Sequence, residues 1–354
     1  MTMPLPHVPG VLSAEQVRQT AGTIIEAQHA SGQIAWYPGG HTDPWDHVQA
    51  AMGLSAAGRR REAVAAFDWL AGAQRPDGSW ATRYVDDTIE DAATDANFCA
   101  YIAAGVRHLW AMDPTGDLER FWAVIDRAME CVLSMRLPSG LVAWSRGEDG
   151  DLSDQALVTG NASIAFSLRC ALDLARVWGH QRPDWELAVA RIDHALRVHP
   201  DWFTPKPRHS MDWYYPVLGG SLMHEAAQER IDERWDEFVV PGLGARCVTV
   251  NPWVTGGESC ELVLALEAMG RRDAALRVFS EMQHLRDDDG SYWTGLVYSD
   301  GVRWPVERTT WTSATVILAA DALSAVTPAH DLFHPLRHVR TDWLVSCSCQ
   351  ESVR

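Results

Sequence analysis

Gln74–Arg75–Pro76–Asp77–Gly78–Ser79–Trp80 decides how the rest of the chain is read, because it recurs. Leu285–Arg286–Asp287–Asp288–Asp289–Gly290–Ser291–Tyr292–Trp293 repeats it. Weaker echoes are Ala30–Ser31–Gly32–Gln33–Ile34–Ala35–Trp36 and Leu137–Pro138–Ser139–Gly140–Leu141–Val142–Ala143–Trp144. In each, an amphipathic helix ends in a glycine turn and a short extended piece carries a Trp. A polar loop then leads to a more apolar helix rich in small residues. A repeat of this length signals stacked copies of one supersecondary unit, none of which can bury its apolar face alone.

Outward from these turns, 3.6-residue periodicity predicts amphipathic helices at 14–30, 60–74, 117–135, 184–198, 229–238 and 271–285. It predicts more apolar partners at 45–57, 94–110, 160–178, 217–228, 257–269 and 311–325, with stop signals such as Gly58 and Gly270. Helices that are apolar all round belong inside, and amphipathic ones outside. The expected fold is therefore all-α: an (α/α)6 toroid of six helix pairs, with short β-hairpins in the loops, for instance at Leu296–Val297–Tyr298. One catalytic domain is expected over 1–354, with its core at about 13–326 and a C-terminal tail over 327–354. An open superhelix of helix pairs is the alternative.

Composition narrows the function. A formal net charge of −17 argues against nucleic acid or an anionic membrane surface as partner. No apolar run approaches the roughly 20 residues of a membrane span, and residues 1–12 lack the features of a secretory signal. The seven cysteines have no framework spacing, so reduced thiols of a cytoplasmic protein are expected, Cys347–Ser348–Cys349 being tail chemistry. Self-association into a homo-oligomer is compatible with all of this. Trp is abundant, 17 of 354 residues, and most copies precede helices beside Gly, Pro and Asp. Indoles gathered in loops at one end of a fold make flat binding walls.

The N-termini of the inner helices of such a toroid share one face. The first is entered through Trp36–Tyr37–Pro38–Gly39–Gly40–His41–Thr42–Asp43–Pro44–Trp45–Asp46–His47, where helix capping by Asp43 or Asp46 competes with a site. The others bring Asp91, Thr94, Asp95 and Asn97; Thr159 and Asn161; His209, Asp212 and Tyr214; Trp253, Glu258 and Glu261; and Arg308, Trp311 and Ser313. Asp95, Asn161 and Ser313 also suit helix caps, and Asp77 and Asp287–Asp289 suit turn chemistry. Indole faces with hydroxyl, amide and carboxylate groups suit a carbohydrate. Glycoside hydrolysis needs two carboxyl groups flanking the scissile bond, and Asp46 or Asp43 with Glu258, on the first and fifth inner helices, are expected to face each other across the cavity. A zinc site at His41, Asp43 and His47 is a weak pattern, and no phosphate-binding glycine loop is present. No metal and no cofactor are expected.

Gln74–Trp80 resembles the repeat of terpene cyclases and prenyltransferase β-subunits, which supports the helix-pair architecture, while the catalytic acids of those enzymes find no match. A wider resemblance, carried by His41–Thr42–Asp43–Pro44–Trp45–Asp46–His47 and Thr255–Gly256–Gly257–Glu258, is to the methylmannose polysaccharide hydrolases of actinobacteria. It implies endo-hydrolysis of α-1,4-linked, methylated mannose chains by a metal-free, inverting mechanism on Asp46 and Glu258, with Asp43 assisting. The expectation is then Glu258 as general acid, Asp46 as the base holding water and Asp43 orienting the pair. Sugar contacts are expected from Trp36, Tyr37, His47, Trp80, Asp95, Trp144, Asn161, Tyr214, Trp253, Trp293, Arg308 and Trp311. Alternatives are a sugar epimerase or isomerase with His47 or His209 moving the proton, and a non-catalytic carbohydrate-binding protein.

Overall fold

The computed structural model describes residues 4–334. Its helices are α1 (Ala14–Glu26), α2 (Pro44–Ala56), α3 (Arg60–Ala73), α4 (Ala96–Ala100), α5 (Ile102–Met112), α6 (Trp122–Ser134) and α7 (Val158–Val177). They continue as α8 (Pro183–Val198), α9 (Ser210–Leu218), α10 (His224–Glu233), α11 (Trp235–Phe238), α12 (Gly256–Ala268), α13 (Arg272–Glu281) and α14 (Thr310–Ser324). Among the described residues no helix is long and apolar enough to cross a membrane.

Burial separates the helices into the two expected kinds. In α2 every residue but Trp45 is buried, and α7, α12 and α14 are buried nearly all round. By contrast α1 buries only Val17, Thr20, Ala21 and Ile24, and α3 only Ala63, Ala66, Phe67 and Leu70. Those stripes have the i, i+3, i+4, i+7 spacing of one helix face. The buried helices touch in sequence: α2 meets α5, α5 meets α7, α7 meets α9, α9 meets α12, α12 meets α14, and α14 meets α2. The half-exposed helices flank them, α3 on α2, α6 on α4, α8 on α7, α10 on α9, α13 on α12 and α1 on α14. Thus α2, α7, α9 and α12 lie mainly against the amphipathic helix that follows them, and α14 against α1.

The recurrent turn is built the same way each time. Gly32, Gly78, Gly140 and Gly290 all have φ between 87° and 99°, a region that favours glycine. At Gly32 and Gly78 a Cβ would also overlap the backbone carbonyls of Ala65 and Arg127 on the next flanking helix. Gln74 Nε2 donates to the carbonyls of Gly78 and Val124, and Gln28 Nε2 repeats this with Gly32 and Glu62. In these two copies the glutamine four residues before the glycine pins the turn to the neighbouring repeat, while Arg136 and Arg286 stand at that place in the other two.

Three expectations need correction. The fourth apolar helix is Ser210–Leu218, not 217–228, because Pro216 lies inside it rather than at its start. Proline removes the N–H that would serve the carbonyl of Asp212. Arg230 replaces it, its Nη2 donating to the Asp212 carbonyl (2.8 Å) and its Nε to that of Trp213 (3.2 Å). The strands form more than hairpins: β1 (His41–Thr42), β2 (Arg83–Val85) and β3 (Thr88–Asp91) make one sheet, and β4 (Thr94–Asp95) pairs with β5 (Ser145–Arg146). A five-stranded antiparallel sheet is ordered β10 (Val302–Arg303), β9 (Gly295–Val297), β8 (Trp253–Thr255), β7 (Gly244–Arg246), β6 (Val239–Val240). Finally, 327–334 is packed rather than trailing, with Phe333 stacked on Phe166 at 5.0 Å. Cys347–Ser348–Cys349 lies outside the described residues.

Candidate active site

Hydrogen bonds gather the N-terminal ends of the buried helices at one end of the fold. Thr310 N–H at the start of α14 donates to the Trp36 carbonyl (2.9 Å). Thr159 Oγ1, at the start of α7, donates to Asp212 on α9 (2.6 Å). Ala96 N–H at the start of α4 donates to the Trp144 carbonyl (2.9 Å).

Asp43 is the N-cap of α2, its Oδ1 accepting from the Asp46 N–H (2.9 Å), with Pro44 setting the first helical turn. The expected competition between cap and site divides: Asp43 caps, and Asp46 is free of that duty. Asp46 is buried, and its Oδ1 meets no hydrogen-bond partner among the described residues. Burial first, then the charges of Asp43, Glu261 and Glu258, push its carboxyl well above the usual carboxylate range. Glu258 stands in the first turn of α12, also buried, with Oε2 lacking a partner among the described residues. The Cys247 thiol is pushed up by burial and by the Glu258 carboxylate beside it.

One turn further along α12, Glu261 has no exposed surface. It accepts from Tyr214 Oη (2.6 Å), Tyr215 Oη (2.9 Å) and Gln49 Nε2 (3.1 Å). Burial raises its carboxyl to about 7 against the opposing pull of those donors. Gln49 Nε2 also donates to Tyr101 Oη (3.0 Å), so α2, α5, α9 and α12 share one buried network. Asp95 caps α4 through the Asn97 and Phe98 amides, and burial raises it to about 7, the Asp43 charge adding to this.

Aromatic rings wall the carboxyl groups. Trp311 stacks on Trp36 (6.0 Å), and Trp36 on His41 (5.9 Å). Trp45 contacts Trp311, Tyr101 and Tyr215 at 5.8–6.3 Å. Trp311 reaches α12 because Gly257 has no side chain; a Cβ there would overlap its six-membered ring. Trp144, 42% exposed, and the half-buried Tyr37 stand on the same rim.

Other expected sugar contacts have different work. Trp80 is 1% exposed, its Nε1 donating to the Leu70 carbonyl, so it has no ring face for a ligand. His47 is locked to backbone: Nδ1 accepts from Ile34 N–H and Nε2 donates to the Ala66 carbonyl, both at 3.0 Å. Burial holds its imidazole down at about 4. It is a neutral clamp, neither ligand contact nor proton carrier. Asn161 bonds the N–H and carbonyl of Val142, and Tyr214 is fully buried on Glu261. Arg308 pairs with Asp287 (2.5 Å) and Asp289 (3.1 Å) and covers the Trp293 ring. Trp253 donates to the Trp304 carbonyl (2.7 Å) in the five-stranded sheet.

Gln49 and Tyr101 were not expected, while Trp45, Tyr215 and Glu261 were expected near the helix starts without these roles. The spacing Glu258-x-x-Glu261 was the available signal, since residues three apart share a helix face. Size is no guide to this site. A cavity of about 1320 Å³ lies at the C-terminal ends of α2 and α5, among Ser55, Ala57, Leu109, Met112 and the segment 4–14, and contains none of these carboxyl groups.

No protein-family model matches the chain. A curated relative, the MMP endo-(1,4)-3-O-methyl-alpha-D-mannosidase of Mycolicibacterium hassiacum, is 54% identical over 354 residues, covering 99% of this chain and 98% of that protein. Among solved structures, a glycosidase superposes with a TM-score of 0.70 at 19% identity, over 88% of this chain and 96% of its own. A D-mannose isomerase does so with 0.68 at 11% identity, over 86% and 95%. At those identities the two structures show a shared fold and nothing about the reaction.

Proposed function

We infer the reaction from one premise: the chain belongs to the family of the MMP endo-(1,4)-3-O-methyl-alpha-D-mannosidases, to which it aligns over nearly its whole length. It is a glycoside hydrolase. Its substrate is an α-1,4-linked mannose polysaccharide carrying 3-O-methyl groups, cleaved internally. The six buried helices in closed succession, each flanked by an amphipathic one, support an (α/α)6 toroid with this chemistry at the N-terminal face of its inner helices. Free cysteines at all five described positions support a reducing, cytoplasmic setting.

The observation that carries the mechanism is the pair Asp46 and Glu258, two buried carboxyl groups at the starts of α2 and α12, each with an oxygen unclaimed by the described residues, the Glu258 charge acting on Asp46. One protonates the glycosidic oxygen while the other activates water on the opposite face of the sugar. We assign the proton to Asp46, reversing the roles first expected. A buried carboxyl beside other carboxylates holds its proton more tightly than an exposed one does, as suits a general acid. Glu258, in the first turn of α12, then acts as base. Asp43 keeps Asp46 protonated and fixes the helix that carries it. Trp36, Trp45 and Trp311 offer the sugar their ring faces. The isomerase alternative loses one of its two proposed proton carriers, since both His47 nitrogens are engaged with backbone.

The test is hydrolysis of a methylmannose oligosaccharide by wild type, Asp46→Asn and Glu258→Gln, with products read by mass spectrometry and the first-formed anomer by NMR. Loss of about 10²-fold or more in each folded variant, with a β-anomer released from the α-linked chain, is the expected result. Full activity in either variant, or an α-anomer formed first, overturns the mechanism.

A further inference from the structure

Next to the carboxyl groups, where α4, α7 and α9 begin, lies a second cavity of about 210 Å³. Trp45, from the turn that holds Asp43 and Asp46, forms one wall, and Asp95 another. The remaining surface is mostly apolar, made by Val142, Trp144, Leu157, Ile164 and Met211. Its volume is below the roughly 300–1,000 Å³ of pockets that enclose drug-sized ligands, so it holds one sugar unit rather than a length of chain.

Its polar lining is Asp95, Asn97, Thr159 and Asn161 with the indole N–H of Trp45, and Thr159 spends its hydroxyl on Asp212 (2.6 Å). The buried Oδ1 of Asn97 and Nε1 of Trp45, both lining the cavity, have no partner among the described residues. Asn161, also in the lining, spends its amide on the backbone of Val142 and Leu157 and presents little polarity inward. A plain mannosyl unit carries hydroxyl groups around its whole ring. Pressed against Val142, Leu157, Ile164 and Met211, a hydroxyl would lose its water without gaining a hydrogen bond. A methyl ether at that position has no proton to satisfy and gains from burial.

We propose that this cavity is the subsite that recognises a 3-O-methylated mannosyl unit, its methyl group on the Val142–Leu157–Ile164–Met211 wall and its free hydroxyls at Asn97, Asp95 and Trp45. The proposal rests on the hydrolase reading above and adds the origin of its preference for methylated chains. Trp144, half exposed at the mouth, stacks on the unit as it enters. It is held there by its carbonyl, which accepts from Ala96, and its N–H, which donates to the Gln155 carbonyl (both 2.9 Å).

The experiment compares kcat/KM on matched α-1,4-mannose oligosaccharides with and without 3-O-methyl groups, for wild type, Leu157→Trp and Met211→Gln. Leu157→Trp fills the cavity. Met211→Gln nearly keeps the shape and places an amide on the wall, which keeps the test available where the larger residue disturbs folding. Wild type should favour the methylated substrate by about tenfold or more, the discrimination a hydrophobic pocket gives one methyl-sized group. In both variants the ratio should fall toward one. A wild-type ratio near one, or a ratio unchanged in folded variants, removes the subsite and leaves the hydrolase reading standing. Cleavage of neither substrate by wild type removes both.

Discussion

Glu261→Gln tests the buried network with a signed, pH-dependent result. The wild-type carboxyl has an ordinary value of 4.5 and titrates at about 7 in the folded protein, with burial the leading cause. A group whose folded value is raised binds its proton more tightly folded than unfolded. Its contribution is therefore complete below pH 4.5 and lost as pH rises through about 7. At roughly 1.4 kcal/mol per tenfold change in proton affinity, this one residue carries about 3 kcal/mol of pH-dependent stability. Glutamine does not titrate. Its NH₂ must face one of three donors now converging from Tyr214, Tyr215 and Gln49, a mismatch costing about 1 kcal/mol. The variant should be less stable than wild type by about 1 kcal/mol at pH 4, close to it at pH 5 and more stable by about 2 kcal/mol at pH 8. Urea unfolding at pH 4, 5, 6, 7 and 8, with midpoint and slope fitted at each, measures the difference. A stability difference that stays constant from pH 5 to pH 8 would refute the reasoning, since Glu261 would then keep one protonation state throughout.

Asp43→Asn preserves a good N-cap for α2 but removes a charge that raises Asp46; the alkaline limb of the kcat/KM profile should move to lower pH, and an unmoved limb counts against Asp46 as the acid. Gly257→Ala places a methyl group in the Trp311 ring, so thermal unfolding should show a loss of about 1–3 kcal/mol, together with reduced kcat. Arg230→Met strips the hydrogen bonds from the Asp212 and Trp213 carbonyls, and a destabilisation of about 2 kcal/mol is expected on denaturation. Adding Pro216→Ala should recover part of it, because that substitution restores the backbone N–H that proline lacks; no recovery would mean Arg230 acts through other contacts.

Much of the architecture could be read because it depends on local rules. Stripes such as Val17, Thr20, Ala21 and Ile24 mark a helix with one buried face, and Gly32 or Gly78 marks a backbone conformation that other residues resist. The fourth buried helix was misplaced because Pro216 is locally a breaker, and its compensation comes from Arg230, which the sequence does not tie to it. For the site, Asp43, Asp46 and Glu258 were legible as carboxyl groups at helix starts. Trp80 and His47 were misread because a Trp or His at a loop end has the same local signature whether it faces a cavity or a neighbouring helix. Glu261 was undervalued for a related reason: its partners come from α2 and α9, and only tertiary structure joins them.

The contact of α2 with α14 has a consequence for biosynthesis. These helices are separated by most of the chain, and α14 lies against both α2 and α12, the carriers of Asp46 and Glu258. At about 5–20 residues per second, roughly a quarter of a minute to a minute passes between the emergence of Asp46 and that of Ser324. Until then the apolar flanks of α2 and α12 have no seal between them, and the interval is one in which a chaperone would be most useful. Catalytic competence therefore waits for α14 to emerge, and a nascent chain released before α14 should be inert and prone to aggregate.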